Sequence, residues 1–128
     1  MIRQIQNLVC ALVTLTFLSP VFAQAVEDSA GVKVSIERPA QRIISLAPHL
    51  SELLQQLDVA HTIVGVIDSG QPAGPGQIHV GDHRSVDIER VMALKPDLVL
   101  AWGAGGTTST IRQLRQLGLR VYDASPQS

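Results

Sequence analysis

The sequence predicts an α/β fold in which an open, mostly parallel sheet is flanked by helices. Short apolar runs rich in β-branched residues alternate with stretches in which leucine or isoleucine recurs every three to four residues. The runs are typical of strands buried on both faces, and the spaced residues are typical of helices. Their order, with four strands separated by three helices, implies parallel pairing through right-handed crossovers.

An export signal is predicted at the start of the chain. Arg3 supplies positive charge, an apolar segment of about eleven residues spans 8–18, and Ala23 and Ala25 are small residues suited to cleavage. A membrane-spanning helix needs roughly twenty apolar residues, so we predict cleavage rather than anchoring. Residues 1–23 are therefore predicted to be a signal peptide, with cleavage after Ala25 as the alternative.

The remaining composition limits the kinds of site that the exported product can carry. Cys10 is the only cysteine and lies inside the predicted signal, so the product has no disulfide, cysteine nucleophile or cysteine metal site. Ten basic and eleven acidic residues nearly cancel and are scattered. This pattern indicates neither a nucleic-acid footprint nor a basic membrane-binding surface. About 105 residues suffice for one domain with a single core.

The first elements after the signal are predicted to be a half-exposed strand and a tightly joined strand and helix. Apolar and polar residues alternate over 32–36, which is typical of a half-exposed strand, and Pro39 ends this pattern. We therefore predict that residues 24–41 are an amino-terminal extension that contains an edge strand. The run 43–47 is a buried strand closed by Pro48. A helix follows, with leucines at 50, 53, 54 and 57.

The second half of the chain repeats this alternation. Residues 62–67 form a predicted strand, 68–76 a glycine- and proline-rich loop, and Ile78 and Val80 a short apolar contact. A second helix is expected after Ser85 as its cap, ending at Pro96, and a strand follows over 98–102. The apolar positions of this second helix are Ile88, Val91, Met92 and Leu94.

The last predicted unit begins with a flexible glycine turn over 103–106. Thr107 or Thr108 is the expected cap of a third helix, Gly118 its left-handed terminator, and 119–122 the final strand. The apolar positions of this helix are Ile111, Leu114 and Leu117. Residues 125–128 are typical of the cap and first turn of another helix. We therefore expect a truncated chain.

Candidate binding residues are those that directly follow the strands, because open parallel sheets bind ligands outside the carboxyl ends of their strands. Trp102 is the most informative, since small residues follow it and its ring could stack on a flat ligand; a core tryptophan under the third helix is the alternative. The full set of residues at the predicted strand ends is Pro48, His49, Asp68, Ser69, Trp102 and Asp123.

Two other patterns leave alternatives open. The turn from Gly103 to Thr108, with Asp123 about twenty residues later, forms most of a dinucleotide-binding fingerprint, although Thr108 replaces its third glycine. A plain structural turn is the other interpretation. His79 and His83 are four apart but lie around Gly81 in a predicted loop without a fixed third ligand. No metal site is therefore predicted. No catalytic residue is predicted either, since the Gly-x-Ser-x-Gly motif is absent and no close carboxylate pair is expected to face a cleft.

From Arg42 onward the chain resembles the periplasmic solute-binding proteins of the helical-backbone class, which serve ABC importers of metal complexes. The resemblance is carried by RIISLAPHLSELL, by IVGV before the long loop, and above all by VGDHRSVDIERVMALKPDLVLAW. The vitamin B12-binding branch is the most similar. By this resemblance, residues 42–128 are the Rossmann-like amino-terminal lobe of a two-lobe binder whose second lobe is absent.

The resemblance implies that a corrinoid such as cobalamin is bound as a transported ligand, without a catalytic cofactor, in the periplasm. Trp102 matches a ligand-contacting tryptophan, and Glu89 matches a glutamate that docks on arginines of the permease. The expected partners are therefore a small-molecule metal complex and ABC permease subunits, with neither nucleic acid nor membrane insertion after cleavage. The implied ligand-binding residues are Pro48, His49, Ser69, His83 and Trp102.

The sequence departs from the cobalamin-binding pattern at two positions. Ser69 lies in Asp-Ser-Gly where a tyrosine is usual, and His83 replaces another aromatic contact. Histidines can ligate haem iron, so haem or an iron siderophore is the second candidate ligand. A fragment of a dinucleotide-dependent oxidoreductase is the alternative from a different functional class.

Overall fold

A computed structural model describes residues 24–126. The signal predicted over residues 1–23 lies outside this range. Within it, no helix combines the length and apolar character that crossing a membrane requires.

Seven strands and three α-helices make up the described chain. The strands are β1 (Gln24–Glu27), β2 (Lys33–Ile36), β3 (Ile43–Ser45), β4 (Ile63–Asp68), β5 (Ile78–Asp82), β6 (Leu98–Ala101) and β7 (Val121–Asp123). The helices are α1 (Pro48–Gln56), α2 (Ile88–Ala93) and α3 (Thr108–Gln116), with short 3₁₀ helices at Ala60–Thr62 and Gly103–Gly105.

The main sheet has five parallel strands in the order β5-β4-β3-β6-β7, which confirms the predicted fold class. β1 and β2 form a separate antiparallel pair. The strand predicted over 32–36 is therefore present as β2, but it lies in this hairpin rather than at an edge of the parallel sheet.

The core is divided between the two faces of the sheet. One buried cluster joins Leu54 of α1 and Val34 of the hairpin to strand residues such as Leu98. The other joins Val91 of α2 and Leu114 of α3 to the opposite face. Side chains of consecutive strand residues point to opposite faces, which is why β3 and β6 contribute to both clusters.

This arrangement places a change of direction in the middle of the sheet. From β3 the chain passes through α1 to β4 on one side, and later passes from β6 through α3 to β7 on the other side. The loops after β3 and β6 therefore diverge between neighbouring strands. Such a switch point leaves a crevice outside the carboxyl ends of the two strands.

Local details of three predictions were wrong. The apolar contact at Ile78 and Val80 is a full strand, β5, which pairs in parallel with β4. Asp87, not Ser85, caps α2, and its carboxylate accepts a hydrogen bond from the Arg90 amide at 3.0 Å. The glycine turn after Trp102 is a 3₁₀ helix.

Several residues predicted on the apolar helix faces are exposed rather than buried. The exposed fraction is 49% for Leu53, 62% for Leu57, 47% for Leu117 and 37% for Met92. Each helix buries only the narrower part of its apolar face, including Leu50 and Leu54 in α1.

Candidate functional site

The carboxyl edge, where all five parallel strands end, brings the predicted strand-end residues onto one side of the sheet. His83 follows β5, Ser69 follows β4, Pro48 and His49 follow β3, and Trp102 follows β6. Neighbouring strands lie about 4.8 Å apart, so five strand ends extend over roughly 20 Å. This width can accommodate a large flat solute.

The rim pair, His49 and Trp102, lies at the switch point between β3 and β6. The two ring centroids are 4.4 Å apart and the ring planes are at 88°, an edge-to-face arrangement. His49 is exposed and Trp102 is half-buried. The indole is thus held at the edge and is not sealed under α3, and it belongs to neither of the buried clusters found in residues 24–126.

Two buried serine contacts orient the loop that carries His49. The Ser45 hydroxyl donates to the Ala47 carbonyl at 3.0 Å and accepts a hydrogen bond from the Ser51 hydroxyl at 2.8 Å. Pro48 occupies the first turn of α1, where its missing amide hydrogen leaves no helical bond unmade. Sequence reasoning missed the bond between Ser51 of α1 and Ser45 of β3.

Asp123 holds the turn that carries Trp102. Its Oδ1 atom accepts hydrogen bonds from the Gly103 amide at 2.9 Å, the Ser125 amide at 3.0 Å and the Ser125 hydroxyl at 2.7 Å. Burial opposes the charged form, but these hydrogen bonds and the positive charge of Arg115 outweigh it and lower the pKa of Asp123. The carboxylate is used inside the turn, which disagrees with the ribose-binding role that the dinucleotide alternative requires.

A side hollow of about 270 Å³ opens beside the rim, between α1 and the loop that joins β4 to β5. Pro48 and Ser69 contribute to both the rim and this side hollow. The other polar side chains around it are Ser51, Glu52, Gln55, Gln71, Gln77 and His79. Most of these side chains are neutral serines and glutamines, and none of the described residues that line the hollow is lysine or arginine. The lining is therefore rich in neutral hydrogen-bonding groups.

A tight turn presents His83 at the β5 end of the edge. The Asp82 carboxylate accepts hydrogen bonds from the amides of Arg84 at 2.8 Å and Ser85 at 3.0 Å, and these bonds lower the pKa of Asp82. Gly81 has φ +140°, which few residues with a side chain adopt. His83 is exposed at the tip of this turn.

His79 lies apart from this tip, within β5, where it is half-buried. Across residues 24–126, no three His, Cys, Asp or Glu side chains are grouped so that they could hold a metal ion.

Glu89 lies in the first turn of α2 and is exposed. The start of this helix is tied to the end of β5, because the Asp87 amide donates to the Val80 carbonyl at 2.7 Å. Glu89 is therefore carried by a hydrogen-bonded junction at the same edge of the sheet as the strand ends.

Comparison with known proteins places these features in a family. A model described as periplasmic binding protein matches residues 43–128. The chain is 38% identical over 92 residues to a vitamin B12-binding protein of Vibrio cholerae, which covers 70% of this chain and 33% of that relative. The chain thus spans about a third of the length of the curated relatives it matches.

Solved structures show the same relationship. The periplasmic vitamin B12 binding protein of Vibrio cholerae superposes with a TM-score of 0.60 at 38% identity, over 66% of this chain and 34% of that one. A haem-binding protein superposes with a TM-score of 0.70 at 28% identity, over 88% of this chain and 38% of that one.

Proposed function

The chain belongs to the periplasmic binding protein family, and from this premise we propose that it captures a corrinoid, cobalamin or a close relative, for an ABC importer. Residues 42–128 act as the amino-terminal lobe, 24–41 as its extension, and 1–23 as the signal that directs export to the periplasm. Solute is bound and handed on, and no covalent bond is made or broken.

The observation that carries this proposal is the rim pair at the switch point. The rings of His49 and Trp102 lie edge-to-face at a centroid distance of 4.4 Å, while the indole stays partly accessible. An aromatic face fixed at the edge of a sheet can stack on a flat macrocycle and bury apolar area. Pro48, Ser69 and His83 flank this pair and complete the proposed contact surface.

The side hollow favours a corrinoid over a ligand that carries carboxylates. The rim of a corrin ring bears neutral amide groups, whereas haem bears two carboxylates. The amides of Gln55 and Gln71 can each donate and accept hydrogen bonds with such groups. The Gln77 amide, whose oxygen accepts a hydrogen bond from the Gly74 amide at 3.0 Å, can donate to them. Glu52 in the same lining would repel a carboxylate.

Haem or an iron siderophore is the second candidate, because imidazoles lie at two strand ends. His49 and His83 are both exposed at the carboxyl edge, and a neutral imidazole can ligate haem iron. The similarity to a haem-binding protein over 88% of the chain supports keeping this candidate.

Glu89 is proposed to dock on the permease. An exposed carboxylate on a helix that is anchored to the sheet can pair with arginines of a partner in a fixed direction. Charge pairs of this kind select the partner and speed its association more than they add affinity.

The test is a titration of the purified chain with cobalamin, haem and NAD, followed by visible absorbance and tryptophan fluorescence. Trp102 is the only tryptophan in the sequence, so its quenching reports directly on the rim. We expect cobalamin to quench it. His49→Ala should weaken cobalamin binding about fivefold, as expected for an aromatic contact worth about 1 kcal/mol.

His61→Ala is the matched control, since His61 is an exposed histidine in the 3₁₀ helix that precedes β4, at the opposite edge of the sheet. We expect this variant to bind like the parent chain. Binding of haem alone would replace the corrinoid with the second candidate. Binding of NAD alone, or equal effects of the two substitutions, would overturn the proposed site.

A further inference from the structure

We propose that Asp123 and Gly103 form a fitted pair that fixes Trp102 at the carboxyl edge, which makes Asp123 a positioning residue for solute binding. The part that concerns solute rests on the proposed function. The part that concerns Trp102 can be tested in the chain alone.

The pair is built from a buried carboxylate and the backbone that follows Trp102. Asp123 is 8% exposed, and its Oδ1 atom accepts a hydrogen bond from the Gly103 amide at 2.9 Å. The same atom also accepts hydrogen bonds from the amide and the hydroxyl of Ser125. At the other end of the same peptide group, the Thr107 hydroxyl donates to the Trp102 carbonyl at 2.8 Å. The peptide group that joins Trp102 to Gly103 is thus held at both its N–H and its C=O.

Steric fit explains why residue 103 is glycine. Gly103 lies outside the left-handed region of backbone conformation, so its own geometry would accept a side chain. A Cβ atom at this position, however, would lie 2.4 Å from Oδ2 of Asp123. The carboxylate therefore packs against the turn as well as hydrogen bonding to it.

Asp123 cannot retreat from this contact without breaking others. Asp28 is only 2% exposed, and its carboxylate accepts a hydrogen bond from the Asp123 amide at 3.2 Å and forms an ion pair with Arg115. The Ser29 amide donates to the Asp123 carbonyl at 3.0 Å. The segment after β1 thereby fixes the backbone of β7, and β7 fixes the carboxylate that holds the Trp102 turn.

The experiment breaks the pair from each side and uses the full chain. Asp123→Ala removes the acceptor, Gly103→Ala introduces the collision, and the double variant removes acceptor and collision together. Trp102 emission and its quenching by acrylamide are measured without solute, followed by the dissociation constant for cobalamin. Asp97→Ala is the matched control. The Asp97 carboxylate also accepts hydrogen bonds from two backbone amides, those of Gln41 at 2.8 Å and Arg42 at 3.0 Å, but it lies at the amino edge of the sheet.

We expect all of these variants to unfold at lower temperature, while only those at 103 and 123 increase the acrylamide quenching of Trp102 and weaken cobalamin binding by roughly tenfold. The two substitutions should be strongly non-additive, because each acts on the same contact. Asp123→Asn keeps an acceptor oxygen and should restore the parental quenching.

The proposal fails if Asp97→Ala changes Trp102 quenching as much as Asp123→Ala, or if the two single effects add. If the parent chain binds no cobalamin, haem or NAD, the proposed function fails, while the quenching comparison still decides whether Asp123 positions Trp102.

Discussion

At Trp102, the neighbouring side chains decide what the residue does. The sequence predicted its place after a strand, and that place at the end of β6 is confirmed. Its edge-to-face contact with His49 could not be predicted, because it depends on β3 and β6 being neighbours although 53 residues separate the two side chains. Strand order is a property of the whole sheet and leaves no local mark in the sequence.

Asp123 also shows what sequence spacing cannot predict, because here the spacing suggested a role that the structure does not support. Its spacing from the glycine turn is typical of a dinucleotide site, whereas the structure uses the carboxylate to hold that turn. A strand-end aspartate and a glycine turn occur in both arrangements. Only the direction of the carboxylate separates them, and spacing carries no information on direction.

The lowered pKa of Asp123 predicts a specific loss of stability in acid. The pKa in the fold lies below the value of about 3.9 for an unperturbed aspartate, so the folded state binds this proton less readily than the unfolded chain. The stabilisation is therefore present above pH about 4 and is lost as pH falls through the folded pKa.

The measurement compares the urea midpoint of the parent chain with that of Asp123→Asn from pH 7 to pH 2. We expect the variant to be less stable at pH 7 and the difference to shrink below pH about 4, where the parent carboxylate gains its proton. Asp82 also has a lowered pKa but is common to both proteins, so it cancels. A difference that is constant with pH would contradict this assignment.

Among the elements, those with strong local patterns were predicted well and those that depend on partners were not. The buried strands and the three helices were found because apolar spacing reflects burial on the sheet. β5 was missed because only Val80 of its five residues is fully buried, which gives it almost no pattern. The segment around Asp28 was assigned only to an amino-terminal extension, since its pairing with Arg115 spans 87 positions.

The turn between β5 and α2 depends on Gly81 for both conformation and space. At φ +140°, an alanine Cβ would lie 2.2 Å from the Ser85 carbonyl oxygen. We expect Gly81→Ala to lower the free energy of unfolding by about 3 kcal/mol, since strain and collision act together. Urea denaturation measures this loss.

Gly76→Ala separates the two causes. Gly76 has φ +72° but no atom within 4 Å of the position of a Cβ, so only conformational strain of about 1 kcal/mol is expected. Equal losses for the two variants would show that the collision at Gly81 is relieved by movement of the turn, and that His83 and Glu89 are held less rigidly than their junction suggests.

For the whole molecule, the predicted fold class is confirmed, because a regular alternation of strands and helices admits few topologies. The family, which was identified from the resemblance of three sequence segments, is confirmed by the match over residues 43–128. The face that each helix covers depends in addition on strand order, since right-handed connections that run in opposite directions along the sheet place their helices on opposite faces. Which solute occupies the carboxyl edge does not follow, since the contact surface depends on a few side chains, two of which, Ser69 and His83, differ from the cobalamin-binding pattern.

The two core clusters should unfold as one unit, because the inner strand β6, which lies between β3 and β7, contributes adjacent residues to both. Leu98 packs in the cluster with α1 and the hairpin, and Val99 in the cluster with α2 and α3. We expect Leu98→Ala and Val99→Ala each to lower the free energy of unfolding by about 2 to 4 kcal/mol. In both variants, circular dichroism and Trp102 fluorescence should report a single coincident transition. Separate transitions, or a shift of only one probe, would mean that the two faces fold independently and that the carboxyl edge could be disordered without loss of the remaining sheet.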